Sequence, residues 1–235
     1  MYGATFGNKH TYRDWGLVPA KRPKVSFPVA KTVYVDVPGS NGSIDLTESL
    51  TGDVVYKNRT IQFEYQVIEG REKWHKIYSE MADYMHGQDM DIFLDEDPDY
   101  YYRGRISMNE WKSDIRHSTI VIDCNVDPFK YEVNAFNDWL WDPFDFETGV
   151  IREYQPFTVT GRAELNIYGL KNHVIPTFTV LSTDHSGMDV IYRDKRYHLD
   201  DGASRILDFV INEGDNVINI VGTGTISVDY KGGRL

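Results

Sequence analysis

The sequence predicts a mainly β protein in two parts. A β domain with one α-helix spans residues 1–134, and an all-β sandwich of jelly-roll type spans residues 135–235. Three observations predict this. Apolar and polar residues alternate through much of the chain, as in Ile61, Phe63, Tyr65 and Val67 against Gln62, Glu64 and Gln66, which is the period of a strand with one buried face. A convincing helical period occurs only once, through Trp74, Ile77, Tyr78, Met81 and Met85. From Phe157 onward the chain breaks into short alternating runs divided by turn residues.

The first domain is organised around Tyr34 to Leu46. Val33, Val35 and Val37 alternate with Thr32, Tyr34 and Asp36, the pattern of a half-buried strand. Pro38, Gly39, Ser40, Asn41 and Gly42 break the pattern, and Ile44 and Leu46 resume it. Proline fixes φ while the glycines accept positive φ, so the chain reverses here as a long hairpin. A strand over Val54 to Val67 follows, then the helix, which His86-Gly87 stops. Met90, Ile92 and Leu94 return to alternation, followed by the acidic loop Asp95 to Asp99. Tyr100 to Met108 and Ser118 to Val126 form a second hairpin, with Ile120, Ile122, Cys124 and Val126 on one face. Asp127-Pro128 ends it, because proline cannot donate to a ladder.

The aromatic stretch Trp139 to Phe146 has no clear period and stands beside the expected boundary near Asn134. In the second domain, Ala163, Leu165 and Ile167 alternate, as do Phe178 and Val180, then Leu207, Phe209 and Ile211. Asn212 to Asn216 is a turn, and Ile218, Ile220, Ile226, Val228 and Tyr230 complete the pattern. Gly222-Thr223-Gly224 reads as a turn or bulge.

Composition narrows the function. With 41% hydrophobic and 26% charged residues the chain is globular. A net charge of −11, with both halves acidic, argues against a nucleic-acid grip. Cys124 is the single cysteine, so no intrachain disulfide forms, and nothing points to an oxidising compartment. The first residues lack the apolar core of a signal peptide, and no apolar run is long enough to span a bilayer. The chain is expected to be cytosolic when made.

No catalytic, cofactor or metal site is expected. Asp95, Asp97 and Asp99 match the first positions of an EF-hand loop, but Tyr100 stands where Gly is needed and Ile106 where Glu is needed. The seven histidines form no zinc spacing. Asp184-His185-Ser186 contains triad residue types, but neighbours on an extended chain point in different directions. Cys124 shares a face with Ile120 and Ile122, the place of a buried, inert thiol. The alternative is a carbohydrate-binding module of jelly-roll type contributing to host-surface adhesion. Its aromatic platforms would come from Tyr168, Tyr192, Tyr197 and Tyr230, with Tyr168 and Tyr192 as the candidates.

Phe6 to Leu17, Val35 to Asp45, Asn58 to Ile61, Tyr102 to Arg105, Ile120 to Tyr131 and Asp229 to Leu235 together resemble the distal tail protein family of siphophages. Phe6-Gly7-Asn8-Lys9-His10-Thr11, running on to Asp14-Trp15-Gly16-Leu17, is similar to the opening of that family, and Val35 to Asp45 resembles its hairpin. Asn58 to Ile61, Tyr102 to Arg105 and Ile120 to Tyr131 resemble family strands, and Asp229 to Leu235 resembles its end. The resemblance implies a tail-tube-like N-terminal domain with one helix and a galectin-like C-terminal sandwich. It further implies a non-enzymatic virion protein without cofactors: a homo-hexameric ring joining the tail tube protein to a tail-associated hub or lysin protein and a receptor-binding protein. Such a protein sits at the virion tail tip after assembly in the host cytoplasm, touches no membrane, and meets DNA only as passing cargo. The chain lacks the His-Asn-Pro-Arg and Trp-Gly-x-Glu patterns with which galectins hold sugar.

On that reading Tyr34, Val35, Val37, Pro38, Gly39, Gly42, Ile44 and Leu46 form a ring-assembly hairpin that adds to a neighbour's sheet. Asp36, Asp45, Glu48 and Asp53 are expected to include residues that face the lumen, where acidic walls repel DNA phosphates.

Overall fold

A computed structural model describes residues 3–49, 54–113, 117–133, 156–169, 175–183, 187–230 and 233–235. The chain divides into two compact units, Met1–Lys130 with Leu235, and Tyr131–Arg234. Asn134 and the stretch Trp139 to Phe146 lie outside the described residues.

The first unit opens with β1 (Ala4–Phe6) and β2 (Lys9–His10), a five-residue helix α1 (Thr11–Trp15), β3 (Leu17–Pro19) and β4 (Lys24–Val25). There follow β5 (Tyr34–Asp36), β6 (Ser43–Asp45), β7 (Arg59–Val67), α2 (Trp74–Met85), β8 (Asp89–Leu94), β9 (Asp97–Ser113), β10 (Ser118–Val126) and, at the division between the units, the short β11 (Lys130–Glu132). The main sheet is antiparallel in the order β2-β1-β8-β9-β10-β7-β3, with β4 also on β7.

Strict alternation decides which face is core. Ile61, Phe63, Tyr65 and Val67 of β7 and Ile120, Ile122, Cys124 and Val126 of β10 are all buried. Helix α2 buries Trp74, Ile77, Met81 and Met85, one side chain per turn on one side. Each such side chain contributes about 1.5–3 kcal/mol by leaving water. The helix stops where His86 turns extended and donates its N–H to the Ala82 carbonyl.

Three readings of this unit need revision. The strand expected from Val54 begins at Arg59, because Val55 to Lys57 instead bond the segment Val29 to Lys31. The acidic loop shrinks to a two-residue turn, Asp95-Glu96, since Asp97 already belongs to β9. A second helix, α1, precedes the expected one. It is too short to show a period and is set by its caps, the His10 side chain before it and Gly16 after it.

The second unit comprises β12 (Phe157–Gly169), β13 (Thr177–Thr183), β14 (Met188–Tyr192), β15 (Lys195–Leu199), β16 (Gly202–Arg205), β17 (Gly214–Asp229) and β18 (Gly233–Arg234). Of the turn or bulge expected at Gly222 to Gly224, the turn is absent: β17 runs straight through, paired with β12 from Gly214 to Ile226. Gly222 (φ +139°) lies opposite Gly161 (φ +81°), a backbone that side chains with a Cβ resist. The strand changes partners there. Asn219 to Val221 pair with β14, and Gly224 to Asp229 pair with β13, so the sheet curls around one core. Ile167, Phe178, Val190, Phe209, Ile218, Ile220, Ile226, Val228 and Tyr230 fill that core. Leu207 departs from the expected alternation, sitting 78% exposed in a turn while Phe209 and Ile211 are buried. The Asn212–Asn216 turn is shorter than expected, because β17 begins at Gly214.

Candidate assembly surface

The β5–β6 hairpin pairs Tyr34 with Asp45, Val35 with Ile44 and Asp36 with Ser43, and Leu46 N–H donates to the Val33 carbonyl at 2.8 Å. Gly39 and Gly42 hold φ of +83° and +78°, which the reversal around Pro38 to Gly42 requires. Its three-residue strands are shorter than the sequence pattern implied. It also forms a separate two-stranded sheet. Such a ribbon is marginal in water on its own.

Pairing and the two-residue period put Val33, Val35, Val37, Ile44 and Leu46 on one face. The expected half-burial does not occur within this chain, because all five are 38–52% exposed. The other face carries Tyr34, Asp36, Ser43 and Asp45, all exposed. Asp36 accepts from the Ser43 hydroxyl at 2.6 Å, and Asp45 accepts from the Thr47 N–H at 2.9 Å. These bonds to Thr47, helped by Tyr34, hold the Asp45 carboxyl below its ordinary value. Glu48 is exposed close by, whereas Asp53 lies outside the described residues. The hairpin is therefore amphipathic, with its apolar face in water.

The sequence reading missed the segment that carries the hairpin. Lys24 and Val25 pair with Gln62 and Ile61, Ser26 and Thr60 exchange bonds, Lys57 N–H donates to the Val29 carbonyl, and Lys31 N–H donates to the Val55 carbonyl. A two-stranded arm thus runs from the edge of β7 towards the hairpin. Pro23 and Pro28 interrupt the alternation here, so no strand pattern was visible.

The remaining candidates separate clearly. Tyr192 is 7% exposed, with Phe209 4.9 Å from its ring, the Arg193 guanidinium at 5.0 Å, and its hydroxyl donating to Asn216 at 2.5 Å. It is a core residue and offers no sugar platform. Tyr197 packs on Phe209, Tyr230 is fully buried, and Tyr168 is 43% exposed. Cys124 is fully buried, and burial pushes its thiol pKa up, away from reactivity. His75 stands edge-on to Trp111, and His86 accepts the Met108 N–H. Among the described residues no three metal-ligating side chains converge, and no helix is long and apolar enough to cross a membrane. Asp184-His185-Ser186 lies outside the described residues.

No protein-family model matches the chain, and no curated protein matches its sequence. In fold it is similar to the crystal structure of the SPP1 Dit (gp 19.1) protein, described as a paradigm of the hub adsorption apparatus in Gram-positive-infecting phages. The match covers 100% of both chains, with a TM-score of 0.59 and 12% sequence identity. The mainly β plan read from the sequence therefore has a structural neighbour over its whole length.

Proposed function

We propose that this chain is a structural protein of a phage tail tip, in which six copies form a ring between the tail tube and the adsorption apparatus. The observation that carries this reading is the full-length likeness in fold to the SPP1 Dit protein. The sequence motifs that resemble distal tail proteins point the same way. So does the water-exposed apolar face of the β5–β6 hairpin, which a neighbouring subunit would cover. The ring takes a tail tube protein on one side and, on the other, carries a tail-associated hub or lysin protein and a receptor-binding protein. It performs no catalysis and carries no cofactor. DNA passes through its lumen without being held.

Negative-stain images of the purified protein, with and without chemical cross-linking, test the reading. A six-fold ring with a central hole is the expected result. Compact single-copy particles under both conditions, together with binding on a glycan array, would instead favour the carbohydrate-binding module.

A further inference from the structure

The arm that carries the hairpin has its own surface chemistry. Phe27 is 85% exposed and Val29 63% exposed, and Val55 on the opposite strand is 40% exposed. Solitary exposed apolar residues are ordinary, but the register of the arm puts these three on one of its faces. From Leu17 to Val35 there is no acidic residue. Lys24, Lys31 and Lys57 are exposed and have no carboxylate partner among the described residues. In a chain with a net charge of −11, this arm is a local cationic strip.

The turn between β8 and β9 has the opposite character. Asp95 is occupied by the Gly3 N–H and His10, and Asp97 by Lys130 at 2.6 Å. Glu96 and Asp99 remain exposed with no cation beside them among the described residues.

Sheet register places the two strips relative to each other. β7 and β9 flank β10 and both run antiparallel to it, so they run in the same direction. Their first residues, Arg59 and Asp97, therefore lie at the same end of the sheet. The arm leaves that end on the β7 side, and the acidic turn stands on the β8–β9 side. One molecule thus offers a basic, apolar strip on one flank and free carboxylates on the other, at the same end of its strands.

We propose that the arm of one copy docks on the β8–β9 turn of a second copy, Lys31 and Lys57 facing Glu96 and Asp99, with Phe27, on the same face of the arm, as the apolar anchor. This rests on the ring reading above and names the two surfaces that meet. A contact between different patches at the same strand end is head-to-tail, the kind that closes into a ring when the rotation fits. Phe27 supplies most of the affinity, because buried aromatic anchors dominate interfaces. The exposed charges set the register and the rate, and salt weakens them.

Disulfide trapping tests the contact, because Cys124 is fully buried and the chain has no other cysteine. Lys31→Cys and Asp99→Cys variants are oxidised separately and as an equal mixture, after circular dichroism has established that each is folded. The mixture is expected to give at least tenfold more cross-linked dimer than either variant alone, and the yield should fall in high salt and with Phe27→Ala. A chain carrying both substitutions should give a ladder of higher oligomers. If each single variant links to itself as readily as to the other, the contact is two-fold and the proposal falls. If the mixture gives no dimer while the unaltered protein still forms rings in negative stain, this contact is wrong and the ring stands. If neither dimers nor rings form, both fall.

Discussion

The Nε2 of His10 stands 3.2 Å from both carboxylate oxygens of Asp95, tying the first hairpin to the β8–β9 turn. On its other side the ring caps α1, with Nδ1 accepting the N–H groups of Tyr12 at 3.2 Å and Arg13 at 3.3 Å. An accepting Nδ1 requires the proton on Nε2, which therefore donates to Asp95. The backbone N–H of His10 donates to Asp14 at 2.7 Å, which makes the cap reciprocal. Replacing His10 by Ala removes the cap and the carboxylate bond together. The expected loss is about 1–3 kcal/mol in urea unfolding. His10→Asn should recover part of it, because asparagine caps well but cannot also reach Asp95. Equal stability of His10→Ala and the parent would show that the link carries no weight.

Arg59 presents the opposite case. Its side chain is buried at the root of the arm, 4.7 Å from the Tyr102 ring, and its Nε and Nη2 have no hydrogen-bond partner among the described residues. Burial pulls its pKa below the ordinary value. A buried charge without a full partner set is worth less than an apolar group of similar volume. Arg59→Met should therefore leave stability unchanged or raise it by up to about 3 kcal/mol. A loss of more than about 1 kcal/mol in chemical denaturation would contradict this.

What the sequence revealed and what it concealed follow from one physical cause. Alternation reports burial inside the chain, so β7, β10 and α2 were legible down to the residues that face the core. The same signal misled at Val33 to Val37, where the alternating face is exposed in the single chain. A pattern written for a partner surface looks identical to one written for a core. Bent strands were concealed for another reason. Gly222 and Gly224 resemble a turn locally, and only the pairing with Gly161 and its neighbours keeps the chain extended. The Phe27 strip was hidden by its flanking prolines, and α1 by being shorter than two helical turns.

Deleting Pro38 to Ser43 tests whether the hairpin acts outside its own molecule. Every residue from Tyr34 to Asp45 is exposed, so neither apolar core loses a contact. The shortened protein should unfold within about 0.5 kcal/mol of the parent, as surface changes usually do. It should remain a monomer by native mass spectrometry under conditions in which the parent forms rings. Hexamers in the shortened protein would show that the hairpin tip is dispensable for assembly.

The acids of the hairpin carry a separate expectation. With the apolar face turned to a neighbour, Asp36 and Asp45 on the opposite face would line the lumen, with Glu48 nearby and Asp53 as a further candidate. A ring reconstruction with these carboxylates on its outer wall would refute the assignment. In the single chain, Asp45 has a pH signature. Its pKa in the folded hairpin lies below the ordinary aspartate value of 3.8, so its bonds to Thr47 are complete above that value. They are lost as pH falls through the lowered pKa. The Thr47 amide resonance should therefore titrate below pH 3.8, and Asp45→Asn should abolish the transition.

The carbohydrate reading reduces to Tyr168, and its test must avoid Tyr192. The Tyr192 hydroxyl donates to Asn216, whose amide in turn donates to the carbonyls of Asn212 and Gly214 at 2.8 Å and Ile167 at 3.2 Å. Tyr192→Phe removes one bond from this buried group and should cost about 1 kcal/mol. Tyr192→Ala also empties the space beside Phe209 and should cost about 3–5 kcal/mol. Lost glycan binding in Tyr192→Ala would therefore report a damaged fold. Tyr168→Ala, on an exposed ring, should stay within about 0.5 kcal/mol of the parent. If the parent binds glycans on an array and Tyr168→Ala does not, at equal stability, the second domain is a sugar-binding module. If the parent binds none, the sugar-binding reading falls.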